Sequence, residues 1–171
     1  MSLAAARPLS WWRWLGAPML LCVAATVVFA APLRIVGLQA PEPVFPMVMA
    51  FAWPVIRPSV LAPFCLMAMG LFLDIFWGGP MGLWALSLLI AYGVVLTARS
   101  ALVGQSQAML LFWYGATAAL ALGAAFLVTM MDVHAKPSLV AIGWQFLATL
   151  VLYPLAYRLI DRFEDADVRF R

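Results

Sequence analysis

Residues 108–131 read AMLLFWYGATAALALGAAFLVTMM, two dozen positions without a charge. About 20 consecutive apolar residues are what an α-helix needs to cross a bilayer. The run shows no apolar–polar alternation, which sets it apart from a strand of an outer-membrane barrel. Further apolar stretches lie on either side. The spacing predicts spans over 14–31, 44–56, 60–77, 81–98, 108–131 and 139–157, with a tail at 158–171. Hydrophobic residues make up 67% of the chain and charged residues 10%, against roughly 45–50% and 25% in soluble domains. A soluble fold of this length still exposes about 30% of its unfolded surface, so the excess apolar surface must face lipid. The expectation is an all-α polytopic membrane bundle of about six transmembrane helices, forming a single integral membrane domain.

The second stretch, 44–56, is the ambiguous one. Thirteen helical residues rise only about 20 Å, against a hydrocarbon core of about 30 Å. It also contains Pro46 and Pro54, so it reads as a kinked span or a re-entrant segment. The distribution of basic residues separates the topologies. With six crossings and a cytoplasmic N-terminus, Arg7, Arg13, Arg57, Arg99, Arg158, Arg162, Arg169 and Arg171 all lie inside, and only Arg34 and Lys136 lie outside. A five-span topology loses that asymmetry at one end or the other, so the positive-inside rule selects six spans with both termini cytoplasmic. Trp11, Trp12 and Trp14 suit an interfacial aromatic belt. The first stretch resembles a secretory signal with Val28-Phe29-Ala30 as the cleavage triplet, but its apolar run is longer than usual and is read as a retained span.

The net charge of +3 comes from singly scattered residues at span ends, so it marks orientation and gives no sign of nucleic-acid binding. Cys22 and Cys65 sit in apolar stretches as small packing residues, with neither metal-ligand nor disulfide spacing. His134 is the sole histidine. With Asp132 it offers two ligands where zinc takes three or four, and Ser138 beside it lacks the setting of a nucleophile. The stretch Gly78-Gly79-Pro80-Met81-Gly82 has no lysine with which to cradle phosphate. The reading is a non-enzymatic protein without cofactor, catalytic or metal site.

Asp74 is the most informative position. An ionisable residue at membrane depth is costly and is a functional candidate by default. It also stands near the negative end of its own helix dipole. Its compensation is expected from the free N–H groups at 81–83 across the short turn, or from Arg34 or Lys136 on the same side. Arg57-Pro58 opens the third span, with proline suited to a first helical turn and Arg57 to an interfacial anchor. Small residues recur at helical spacing: Gly70, Asp74 and Gly78 on the third span, Gly115, Ala119 and Gly123 on the fifth. Such stripes let helix backbones approach, either within the bundle or against a partner's helix. Gln145, Thr149 and Tyr153 form a polar stripe that lines a cavity or bonds to neighbouring helices.

The segment Trp53-Pro54-Val55-Ile56-Arg57-Pro58, then Pro63, then Gly70-Leu71-Phe72-Leu73-Asp74, resembles the rod shape-determining protein MreD family. The likeness continues through Gly78-Gly79-Pro80-Met81-Gly82-Leu83-Trp84-Ala85-Leu86 to Tyr92. It covers roughly a quarter of the chain; this chain has Ser59 where the family often has an acidic residue or asparagine. The resemblance implies an inner-membrane scaffold of the bacterial cell-elongation complex. Its implied partners are the bitopic protein MreC, through a membrane-helix contact, and the MreB filament. The rod glycosyltransferase and class B transpeptidase would be met directly or through MreC. The implied fold is a helix bundle similar to the S-components that bind substrate in ECF vitamin-uptake transporters. That similarity supplies the alternative function, a small-molecule-binding membrane component of a transporter.

Overall fold

A computed structural model describes residues 12–29, 34–35, 38–39, 42–133 and 138–168. The N-terminal arm with Arg7, the loop residues His134 and Lys136, and Arg169 and Arg171 lie outside them. A π-helical turn, Trp12–Gly16, leads into α1 (Ala17–Phe29). A two-residue antiparallel pairing follows, β1 (Arg34–Ile35) with β2 (Leu38–Gln39). The remaining elements are α2 (Pro46–Ile56), α3 (Leu61–Trp77), α4 (Leu83–Leu102), α5 (Gln107–Val133), α6 (Leu139–Leu150) and α7 (Tyr153–Val168). Three stretches, Leu83–Leu102, Gln107–Met131 and Leu139–Arg162, are long and apolar enough to cross a membrane. Three shorter apolar helices, Trp14–Phe29, Pro46–Ile56 and Leu61–Trp77, accompany them. The protein is a helical membrane protein.

The ambiguous second stretch forms the centre of the bundle. α2 packs against α1, α3, α4, α5 and α7, and every residue from Pro46 to Val55 is buried. A helix of 11 residues rises about 16 Å, too little to face lipid along a full crossing. Burial in protein removes that requirement, because irregular backbone at membrane depth is tolerated where protein surrounds it. The non-helical chain before α2 is satisfied accordingly: Val44 N–H donates to the Thr149 hydroxyl at 3.2 Å, and Phe45 N–H donates to the Pro43 carbonyl.

Proline chemistry sets two boundaries. Pro58 pushes the residue before it out of the helical region; Arg57 is extended at φ −152°, ψ 108°, and α2 stops at Ile56. Pro58 therefore lies ahead of α3 instead of in its first turn, and Ser59 receives the Leu61 N–H on its hydroxyl. Pro154 supplies no N–H and crowds the carbonyl four residues back, and the expected sixth span divides at Val151-Leu152 into α6 and α7. The helix then runs on to Val168, through most of the stretch read as a tail from Arg158.

Side-chain bonds fix how the elements align. The Trp77 indole N–H donates to Glu42. At the other end Arg99 Nε donates to the Val55 carbonyl at 3.3 Å and the Tyr92 hydroxyl to the Ser59 carbonyl at 3.4 Å. Thus α2 and α3 run antiparallel between an Asp74 end and an Arg99 end, and α4 reverses α3 and runs parallel to α2.

Candidate functional site

The α3–α4 hairpin turns on Asp74, which is 1% exposed. Its backbone carbonyl accepts the N–H groups of Gly78 and Gly79. Its carboxylate reaches forward: Oδ2 accepts the Gly82 N–H and Oδ1 the Trp84 N–H, both at 2.8 Å. These are free donors at the start of α4, where the positive end of a helix dipole favours an anion. The position that is unfavourable on its own helix is therefore matched by the next one. The residues engaged are Gly82 and Trp84, flanking the Leu83 at the limit of the expected stretch. Gly78 and Gly82 take left-handed backbone, φ 65° and 92°, which glycine adopts without the Cβ penalty. Together they fold the chain back tightly enough for one carboxylate to span the turn.

Gly70 lies one turn earlier and is buried against α4. A Cβ built there would fall 2.3 Å from Ala85 Cα and 2.4 Å from Ala85 N, backbone atoms that cannot move aside. The Gly70 face of the third-span stripe is thus occupied inside the chain. The indole rings of Trp77 and Trp84, on either side of the hairpin turn, meet edge to face at 5.2 Å. Arg57 and Pro58 stand exposed at the opposite end of α3, so neither joins Asp74.

A second polar junction lies where α6 meets α7. The Thr149 hydroxyl donates to the Gln145 carbonyl at 2.8 Å while accepting from Val44. The Thr149 carbonyl, close to the proline break, accepts the Tyr114 hydroxyl at 3.1 Å. The Tyr153 hydroxyl donates to the Gln107 carbonyl at 2.6 Å. Thr149 and Tyr153 of the predicted polar stripe thus bond to neighbouring segments, while the Gln145 side chain is half-buried.

The fifth-span stripe is divided. Gly115 would bring a Cβ to 3.4 Å from a Leu150 methyl, ordinary contact with α6, whereas Gly123 meets nothing within 4 Å. Ala119 and Gly123 are exposed, as are Gly143 and Trp144 on α6. Three residues outside the expected site set matter here. Glu42 anchors Trp77, Arg99 covers the end of α2, and Tyr114 ties α5 to the α6–α7 break. Arg99 was legible as a cation near a span end; Glu42 and Tyr114 carry no signal without the fold. Among the described residues, no group of three or more metal-ligating side chains comes together. No protein-family model, curated protein or solved structure matches the chain.

Proposed function

We propose that this chain is a non-enzymatic scaffold of the bacterial inner membrane, of the kind its resemblance to the MreD family implies. It crosses the membrane six times with both termini cytoplasmic, in a bundle similar to the transporter S-components. It holds the membrane helix of a bitopic partner of the MreC type, and so keeps the MreB filament coupled to the rod glycosyltransferase and class B transpeptidase. The observation that carries the reading is the use made of the residues that bear the resemblance. Gly70, Asp74, Gly82, Trp84 and Tyr92 make internal contacts within one α2–α3–α4 unit in which Trp53 is buried, while Arg57, Pro58 and the Gly78-Gly79 turn stand exposed at its two ends. The buried ones hold a framework together, and recognition falls to other surfaces. The open positions Ala119, Gly123 and Gly143 supply small residues where a partner backbone can come close.

The test is depletion combined with purification from native membrane. The proposal expects loss of rod shape and recovery of an MreC-type protein with the chain. Normal shape, loss of uptake of one small molecule and recovery of an energising module would support the transporter component instead. For orientation, labelling of a tail cysteine from the periplasmic side of intact cells would overturn the six-span topology.

A further inference from the structure

We infer that this protein sits in a bilayer of uneven thickness, thinner beside the α3–α4 hairpin than beside α5 and α6. The inference stands apart from the proposed function and rests on helix lengths. α3 has 17 residues, a rise of about 25 Å, and is bracketed by Ser59 at one end and the Gly78-Gly79-Pro80 turn at the other. α4 has 20 residues and α5 has 27. The two pack together and are joined by the short turn 103–106, so α5 extends about 10 Å past the start of α4 at the Asp74 end. Up to Asp132 near its tip, the projecting part is mostly apolar. Leu127, Met130 and Met131 of α5 are 62%, 38% and 80% exposed, and Leu139 and Val140, which open α6, are 73% and 69% exposed.

A flat membrane cannot accommodate both ends. If its surface met the α3–α4 turn, this apolar cluster would stand in water, where exposed hydrocarbon is unfavourable in proportion to its area. If its surface rose to Met131, the exposed Gly78-Gly79 turn would sit below it, by up to about 7 Å. The last carbonyls of α3 would then lie in hydrocarbon, which tolerates no unpaired backbone group. A bilayer adjusts its local thickness at modest cost per ångström, so the lipid surface descends from the α5–α6 side to the α3–α4 side. The acyl chains that fit the α3 face are shorter than those that fit α5.

Spin labels at two positions test this in the purified full chain, with Cys22→Ala and Cys65→Ala removing the native thiols. The chain is reconstituted in phosphatidylcholine vesicles with 18-carbon monounsaturated tails. Gly79→Cys and Met131→Cys are suitable sites, since a Cβ at Gly79 meets nothing within 4 Å and Met131 is exposed. Collision with oxygen and with a water-soluble nickel complex reports depth. The expected result is a label at 131 inside the hydrocarbon and a label at 79 within about 7 Å of the phosphate level, despite their different heights on the protein. A label at 79 in hydrocarbon, or a label at 131 in water, would overturn the inference. If either variant melts differently from the thiol-free parent, Met81→Cys and Met130→Cys give the same readout one turn or less away.

Discussion

Gly70 and Gly123 each belong to a stripe of small residues at helical spacing, yet their surroundings differ completely. A methyl group at Gly70 would press into the backbone of Ala85, while one at Gly123 would touch nothing. The contrast extends to the helices that carry them. α3 and α4 are tied together by a buried carboxylate, an indole pair and direct backbone contact. α6 packs chiefly on α5 and leaves Leu139, Val140, Trp144 and Leu147 exposed. Small residues permit close approach; whether something approaches from within the chain or from outside is decided by the fold.

Substitutions in the two regions should therefore separate widely. Asp74→Leu removes the acceptor for two N–H donors at a buried site, each costing about 1–3 kcal/mol when left unpaired. The expected loss is about 4 kcal/mol in detergent melting, with Asp74→Asn milder because its amide oxygen still accepts one bond. Wild-type melting of both variants would remove the hairpin role and favour a ligand or partner role for Asp74.

Gly70→Ala forces a methyl group into fixed backbone, an overpacking change expected to cost about 3 kcal/mol. Gly123→Ala should change stability by less than about 0.5 kcal/mol, as surface substitutions do. Equal melting temperatures for the two alanine variants would erase the distinction between a closed hairpin and an open arm. Thr149→Val keeps the shape but loses the acceptor for Val44 N–H, with an expected cost of about 2 kcal/mol. Hydrogen exchange at the start of α2 should rise with it; unchanged protection there would show that Thr149 does not hold the segment before α2 in place.

Much of the framework was legible in residue order because its causes are local. Charge-free runs mark the long helices, and Gly78-Gly79-Pro80 marks a turn tight enough to bring Asp74 to the following helix, whereas Pro58, read as part of the third span's first turn, lies ahead of it. What could not be read depends on distant partners. The short, proline-bearing α2 gives no sign that it is central, since that follows from the helices surrounding it. Pro154 was visible, but the break at Val151-Leu152 needed Tyr114 and Val44 to satisfy the groups around it. Glu42 and Trp77 are 35 residues apart, and no local pattern relates them. For the stripes, spacing identified Gly70, Gly115 and Gly123 alike and could not sort the covered positions from the open one.

That sorting bears on function, because the Gly70 face is filled by Ala85 and leaves no room for a partner. A photocrosslinking residue placed at Gly123 or Gly143 and, for comparison, at the exposed Phe64 or Met67 of α3 examines both sides of the bundle in native membranes. A scaffold working as proposed gives a crosslinked product with a single-span protein from positions 123 and 143, and none from 64 and 67. Lipid-only surroundings at 123 and 143, or a protein product confined to the α3 positions, would mean that the open arm is not where this chain meets its partner.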